Sequence, residues 1–378
     1  MKTEIRVLTL SEVCHVYQPE TISKKTLPAD GEYPVYGANG QIGFNDKYNH
    51  ENSELLLGCR GSVGSLHISE PFSWINGNAM VVQPFEGVVT REYLKYALMG
   101  GIDIKRAISG TAQPQITRES LSSILIPVPP ILVQNKIVEY LNEALMEVSF
   151  LEANANQTYE IQISLLKSIC DSLLLKGEEK YANLDSFAYF ENGDRGPNYP
   201  NKSMRVDVGI PFINAGHIAE GEIDFDGMDY ISRDTYEKLS RGKVIPNDIL
   251  FCLRGSLGKV GVVRDFSEGA IASSLVIVRP KPGVLSKYLL MYFMSSLCES
   301  EIAKLRSGTA QPNLGAAQLK TFQVPIVDNN RLIEISEKFE SAVSDLRSLK
   351  NNLQLAKNRI NDLKNSILIK TFERDWII

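Results

Sequence analysis

The feature that most constrains the fold of this 378-residue sequence is an internal repeat. The six residues Ser-Gly-Thr-Ala-Gln-Pro occur at positions 109–114 and again, letter for letter, at positions 307–312. Upstream of each copy stands an Arg-Gly-Ser-x-Gly stretch, which begins at Arg60 in the first copy and at Arg254 in the second. The offsets between matching residues lie between 194 and 198, and the order of the motifs is kept. The chain is therefore a tandem duplication of a unit of roughly 190 residues, and it should fold as two related halves.

Each repeat begins with a part in which short strands alternate with helical segments. Apolar runs bounded by Gly, Pro and Asn predict strands at residues 54–57, 79–82, 249–253 and 275–278. The spacing of apolar residues predicts helices over residues 93–99 and 288–297. The sequence therefore predicts two α+β domains, at residues 1–130 and 178–326.

The second part of each repeat has the heptad pattern of a coiled coil. From Leu332 to Ile367, eleven consecutive seam positions are apolar, whereas Glu152 interrupts the matching seam of the first repeat. The pattern predicts long helices over residues 131–177 and 327–378, each about 60 Å long. An ordinary long core helix is the alternative for the first one. The first helix leads from one α+β domain to the other, so the second must run back antiparallel if their seams pack together. Residues on the two seams include Leu145, Glu152, Leu166, Leu346, Leu353 and Ile360.

No motif for phosphate binding, metal binding or nucleophilic catalysis is complete in the sequence. The stretch nearest to a P-loop has Leu253 in place of the first glycine and Val260 in place of the magnesium-ligating Ser or Thr. The four histidines are scattered, and the five cysteines form no close pair, which favours reduced thiols. We therefore expect no catalytic residue, metal or cofactor in this chain. No secretory signal and no apolar run of about 18 residues is visible, so we expect a cytoplasmic protein without membrane contact.

The polar residues that recur in both repeats are hydrogen-bonding groups rather than acids or bases. They are Arg60 and Arg254, Ser62 and Ser256, Thr111 and Thr309, Gln113 and Gln311, and Gln115 with Asn313 at the matching place. Arg can contact guanine in a bidentate manner, Gln or Asn can contact adenine, and Ser or Thr can reach phosphates. Duplicated groups of this kind, without duplicated acid–base groups, indicate recognition rather than turnover.

Two structural interpretations of these motifs stay open. The Arg-Gly-Ser-x-Gly stretch could be a hairpin whose arginine pairs with a local carboxylate. The Gly-Thr-Ala-Gln-Pro stretch could be a helix-entry turn, with Gln115 or Thr117 capping the helix that follows. Either interpretation can coexist with a role in recognition.

The charge of the chain is unusual for a protein that binds DNA alone. Its 40 Lys and Arg residues and 45 Asp and Glu residues give a net charge of −5. The most basic block, residues 326–378, carries nine basic and eight acidic residues. Proteins that bind DNA by themselves are usually positive. Any DNA contact would need positive charge that is arranged locally or supplied by a partner.

Two mixed domains, two long helices and the paired motifs together resemble the specificity subunits of type I restriction–modification systems over essentially the whole chain. Residues 33–40, Tyr-Pro-Val-Tyr-Gly-Ala-Asn-Gly, and residues 210–218 are similar to stretches that are frequent in target recognition domains of that family. The resemblance implies two pseudo-symmetric recognition domains separated by two long antiparallel coiled-coil helices.

The resemblance also implies a function and a set of partners. Each recognition domain would read one half of a split double-stranded DNA target, and the helices would bind two methyltransferase subunits. The assembly would methylate adenine and, together with restriction (translocase/endonuclease) subunits, cleave DNA. S-adenosylmethionine, ATP and magnesium would be used by those partners, and this chain would have no catalytic site. The alternatives are a stand-alone DNA-binding regulator and a pseudo-symmetric small-molecule enzyme, although an enzyme should place acid–base groups at matching repeat positions.

Overall fold

A computed structural model describes residues 5–28, 30–110, 113–175, 180–264, 266–306 and 313–373. The chain divides into two compact units. Unit 1 comprises Met1–Asn156 with Gln354–Ile378, and unit 2 comprises Gln157–Leu353. Each unit contains one α+β domain and a part of each of the two long helices.

The first repeat contains the strands β1 (Arg6–Thr9), β2 (Cys14–Tyr17), β3 (Tyr33–Gly37), β4 (Gly40–Asn45), β5 (Leu55–Gly58), β6 (Leu66–Ile68), β7 (Trp74–Ile75), β8 (Ala79–Pro84), β9 (Ile108–Ser109), β10 (Gln115–Ile116) and β11 (Leu125–Val128). Its α-helices are α1 (Leu10–Val13), α2 (Arg91–Tyr96), α3 (Arg118–Ser122) and α4 (Ile131–Leu174). Shorter 3-10 or π turns occupy Lys24–Thr26, Ala97–Gly101 and Ile104–Ala107.

The second repeat contains the strands β12 (Tyr181–Asn183), β13 (Ala188–Asn192), β14 (Arg205–Val206), β15 (Ile210–Ile213), β16 (Ile218–Ala219), β17 (Glu222–Ile223), β18 (Tyr230–Ile231), β19 (Lys243–Val244), β20 (Ile249–Cys252), β21 (Val260–Val262), β22 (Gly269–Ile271), β23 (Leu275–Pro280) and β24 (Gln323–Pro325). Its α-helices are α5 (Arg233–Lys238), α6 (Ser286–Phe293), α7 (Ser296–Leu305), α8 (Ala316–Lys320) and α9 (Asn329–Glu373). Its 3-10 turns occupy Leu184–Ser186, Lys202–Met204 and Ala215–His217.

The α+β domain of unit 1 is built on an antiparallel sheet with the strand order β2-β8-β5-β6. The central strand β5 is apolar throughout because both faces of the sheet are covered. Leu55 and Leu57 belong to one core, which includes Tyr93 of α2, whereas Leu56 belongs to a second core on the other face. At the edge of the domain β1 pairs with β11, so the strand that enters the domain lies beside the strand that leads into α4.

The α+β domain of unit 2 repeats this architecture. Its main antiparallel sheet has the order β13-β23-β20-β21, and β12 pairs with β24 as β1 pairs with β11. The predicted strands are present in both domains, which confirms the α+β class. The helix predicted over residues 288–297 is two helices: α6 ends at Phe293 and α7 begins at Ser296, whose backbone N–H donates to Asp171 Oδ1 of α4 (2.8 Å).

The two long helices are antiparallel, as predicted. In unit 1 the start of α4 shares a core with the end of α9, through residues such as Leu141 and Leu368. In unit 2 the end of α4 shares a core with the start of α9, through residues such as Leu174 and Phe339. Among the described residues, no helix combines the length and the hydropathy that crossing a membrane would require.

The heptad seam is buried unevenly along these helices. Glu152, which interrupts the seam, has its carboxylate 3.9 Å from Lys364 Nζ, so the polar position is ion-paired within unit 1. Leu363 lies on the predicted seam and is 45% exposed, whereas Leu368 lies off it and is 1% exposed because it packs against Gly100. The seam residues singled out from the sequence share an intermediate exposure, namely Leu145, Glu152, Leu166, Leu346, Leu353 and Ile360.

Candidate nucleic-acid interface

The Arg-Gly-Ser-x-Gly motif of the first repeat forms the tight connection between β5 and β6. The Gly64 N–H donates to the Gly58 carbonyl (2.8 Å), and the Gly58 N–H donates to the Ser65 carbonyl (2.7 Å). Gly61 has a φ of 77°, in the left-handed region that favours glycine. The hairpin therefore holds Arg60, whose side chain is exposed, on a rigid backbone.

The second repeated motif lies directly beside this hairpin. Arg60 and Gln115 form an isolated antiparallel bridge, and the Ile116 N–H donates to the Cys59 carbonyl (3.0 Å). Gln115 also pairs with Ser109 across the short β9–β10 ladder. Two motifs that are about 50 residues apart in the sequence are thus joined by backbone hydrogen bonds in unit 1.

Unit 2 builds the same arrangement from its own copy. Arg254 and Asn313 form the matching antiparallel bridge, and the Leu314 N–H donates to the Leu253 carbonyl (3.0 Å). Gly255 has the same φ of 77° as its counterpart in the first repeat. The side chains of Arg254, Ser256 and Asn313 are exposed. The recurrence of hydrogen bonds, bridge and backbone angle shows that the loop pair was duplicated as one structural element.

The surroundings of the two arginines decide between the interpretations left open by the sequence. Within the part of the chain that the structure describes, neither Arg60 nor Arg254 forms a salt bridge, so the motif is a hairpin without the local carboxylate partner. The helix-entry interpretation is right for Thr117, whose hydroxyl accepts the Ser120 N–H (3.1 Å) at the start of α3. Gln115 is not the cap, because it is paired in the ladder.

The remaining predicted site residues are placed as follows. Gln113 is exposed and lies just before β10, the strand that is bridged to Arg60. Ser62 is half-buried within the hairpin. Thr111, Thr309 and Gln311 lie outside the described residues.

The chemistry of this loop pair is that of hydrogen bonding. Burial raises the pKa of the Cys59 thiol, which stands next to Arg60, so the sulfur stays protonated near neutral pH and is a poor nucleophile. Across the described ranges, no group of three or more His, Cys, Asp or Glu residues could hold a metal ion. An exposed guanidinium and neighbouring amide side chains can contact base edges and phosphates.

Sequence reasoning missed the residues whose carbonyl groups accept hydrogen bonds from the start of each hairpin. The Asn78 carbonyl accepts the Cys59 N–H (3.0 Å), and the Ser274 carbonyl accepts the Leu253 N–H (2.9 Å). These two residues differ in type and contribute backbone carbonyls to the contacts, so no motif in the sequence marked them.

The chain matches a family model described as "Type I restriction modification DNA specificity domain" over residues 2–157 and 183–365. The chain belongs to this family. The two matched segments correspond to the two repeats, and the family is one of DNA recognition rather than catalysis.

Relatives of this specificity subunit occur in bacteria and archaea. The type I restriction enzyme EcoBI specificity subunit of Escherichia coli is 24% identical over 345 residues, which cover 84% of this chain and 73% of the relative. A putative type I restriction enzyme specificity subunit of Haemophilus influenzae is 26% identical over 344 residues, covering 85% and 84%. The MjaVIII specificity subunit of Methanocaldococcus jannaschii is 21% identical over 340 residues, covering 83% and 78%.

The fold of this specificity subunit also matches a solved structure. That structure is titled "Structural basis underlying complex assembly and conformational transition of the type I R-M system", and one of its chains aligns with a TM-score of 0.65. The alignment covers 100% of both chains at 16% identity, so it shows the shared fold.

Proposed function

We propose that each repeat of this specificity subunit reads one half of a bipartite double-stranded DNA target. The observation that carries the proposal is the duplicated loop pair. In each repeat it presents an exposed arginine, without an ion-pair partner among the described residues, on the same hydrogen-bonded backbone. In this proposal Arg60 contacts one half-site and Arg254 contacts the other. An arginine side chain can make a bidentate contact to guanine, which contributes about 1–3 kcal/mol of discrimination.

The long helices are proposed to bind two methyltransferase subunits. Large apolar side chains on α4 support this, because Met146 and Phe150 lie one turn apart in unit 1 and are 68% and 66% exposed. Further along α4, in unit 2, Ile161 and Leu165 have the same spacing and are also exposed. Single exposed apolar residues are ordinary, but a row on a long helix is typical of a surface covered by a partner.

The net charge of −5 fits a complex in which different subunits supply DNA affinity and sequence readout. Because counterion release from DNA phosphates needs many basic contacts, the methyltransferase subunits would supply most of the salt-dependent affinity, and this chain would supply sequence readout. S-adenosylmethionine would then be held by the methyltransferases, and ATP and magnesium by restriction subunits. The complex would act on DNA in the cytoplasm.

The test is to map methylated sites for a complex reconstituted from this chain and its methyltransferase subunits. We expect Arg60→Ala to reduce discrimination in one half of the methylated sequence by about 1–3 kcal/mol and to leave the other half unchanged. Arg254→Ala should have the converse effect. The matched control is Arg6→Ala, which removes an exposed arginine of β1, outside both the loop pairs and the long helices. It should leave both half-sites unchanged.

Three results would contradict the proposal. One is that both arginine variants alter the same half-site, and a second is that neither alters any. The third is a large fall in melting temperature with normal specificity of the folded fraction, which would give the arginines a purely structural role. Sequence-specific binding by this chain without methyltransferase subunits would instead favour a stand-alone regulator.

A further inference from the structure

The hairpin formed by β16 and β17 in unit 2 has a turn whose sequence fits its backbone poorly. The two central residues, Glu220 and Gly221, have φ angles of 51° and 83°. Positive φ at both positions is characteristic of a type I′ turn, which strongly prefers Asn, Asp or Gly at the first of them. A glutamate there is strained, and such residues persist where the surrounding structure holds them in place. Its presence points to a role for the Glu220 side chain.

The carboxylate of Glu220 contacts both long helices. It accepts a hydrogen bond from the Tyr159 hydroxyl of α4, and it lies 3.0 Å from Lys350 Nζ of α9. This hydrogen bond raises the pKa of Tyr159 to about 12. Two residues further along the hairpin, the Glu222 carboxylate pairs with the Arg347 guanidinium of α9. Since Arg347 and Lys350 are three residues apart, one face of α9 receives both carboxylates.

The same hairpin is bonded to the strand that follows the Arg254 loop. The Gly221 N–H donates to the Val260 carbonyl (3.1 Å), and the Val262 N–H donates to the Gly221 carbonyl (3.1 Å). Val260 begins β21, which pairs with β20, and the Arg254 loop connects these two strands. A continuous path of hydrogen bonds therefore runs from the two long helices to the Arg254 loop.

Polar contacts link the hairpin to the helices across a pocket that is partly open to solvent. The pocket has a volume of about 510 Å³, and its lining includes Leu166 of α4, Leu346 of α9 and Glu222 of the hairpin. Three contacts of Glu220 and Glu222 with the helices span this pocket. The segment from Pro211 to Arg254, which includes the hairpin, spans 43 residues, whereas its counterpart in the first repeat spans 26.

We propose that Glu220 and Glu222 are positioning residues that fix the Arg254 loop relative to the helices of unit 2. By doing so, they restrict the length of the DNA spacer between the two half-sites at which the second half-site is accepted. This inference rests on the proposed bipartite reading. The two carboxylates touch no base. They act through the hairpin and β21 on the loop that carries Arg254.

The experiment measures methylation by the reconstituted complex on targets whose spacer is native, one base pair shorter or one base pair longer. The variants are Glu220→Gly, Glu220→Gln and Glu222→Gln. We expect each to lower the preference for the native spacer, by about threefold to tenfold for Glu220→Gly, which removes two contacts. The sequence preferred in each half-site should not change, because the Arg254 loop is intact. The control is Glu268→Gln, which breaks an exposed ion pair with Arg233 inside the same domain.

Glu220→Gly separates positioning from stability. Glycine adopts positive φ without strain, and this relief offsets the loss of the two contacts. The melting temperature should therefore change little while spacer discrimination falls. A lower melting temperature with unchanged spacer discrimination would overturn the inference, as would equal effects of Glu220→Gly and the Glu268→Gln control. If the unmodified complex methylates no bipartite target, the proposed function itself fails. If the unmodified complex prefers the native spacer and the variants keep that preference, only the present inference fails.

Discussion

The end of α9 offers a direct comparison of a buried leucine with an exposed one. Leu368 is 1% exposed and lies against Gly100 in the core of unit 1, whereas Leu363, five residues earlier, is 45% exposed. The heptad frame assigns the seam to Leu363, so it predicts the opposite order. Truncation of a buried leucine to alanine costs about 2–5 kcal/mol, because it removes transfer free energy and leaves a cavity. Truncation of a half-exposed leucine should cost less than about 1 kcal/mol.

We therefore expect Leu368→Ala to destabilise unit 1 strongly and Leu363→Ala to be almost silent. For a unit of this size, about 1 kcal/mol corresponds to a shift of about 2–4 °C in melting temperature. The expected fall is therefore about 4–20 °C for Leu368→Ala and less than about 4 °C for Leu363→Ala. Both variants change leucine to alanine in the same helix, and their difference in helix propensity cancels.

Calorimetry of the whole chain provides the shift, and hydrogen exchange identifies the unit that is affected. In Leu368→Ala the amide of Tyr93, whose side chain belongs to the same core, should lose protection, whereas Leu363→Ala should leave it protected. Equal shifts for the two variants, or a larger shift for Leu363→Ala, would refute the argument and restore the uniform heptad seam.

Three further predictions follow from individual contacts. A Cβ at Gly101 would overlap the aromatic ring of Phe372, so Gly101→Ala should destabilise unit 1 by about 1–3 kcal/mol in thermal unfolding. The control is Gly37→Ala, which should cost much less because its Cβ would meet ordinary contacts at 3.4 Å. Leu353→Lys places a charge at a half-buried seam position, and size-exclusion chromatography should show loss of methyltransferase assembly or of the fold. Backbone N–H groups of residues 196 and 240 lower the pKa of Asp194, so its contribution to stability is present above about pH 4 and is lost as the pH falls through the lowered value. The difference in melting temperature between wild type and Asp194→Asn should therefore be largest near pH 7 and shrink towards pH 3.

The sequence alone determined the duplication, the α+β class and the two long helices. These features are periodic or local. Strand β5 appears as an apolar run because both of its faces are covered, and α9 appears as a heptad because one side of it is apolar along its whole length. The repeated Arg60 and Arg254 motifs also pointed to the loops that the structure pairs with Gln115 and Asn313.

Contacts between distant segments were decided only by the tertiary structure. The bridge between Arg60 and Gln115 is made by backbone groups, which leave no trace in residue type. A heptad also assumes one constant partner, but the end of α9 packs against Gly100 and Gly101, where the absence of a side chain admits Leu368 and Phe372.

The residue type at position 220 is also explained by contacts with distant segments. Local turn preferences argue against a glutamate at a position with positive φ, and only the helix residues Tyr159 and Lys350, which are distant in sequence, account for it. Sequence patterns report the average environment of an element. Which residues of that element meet a partner depends on where the rest of the chain places that partner.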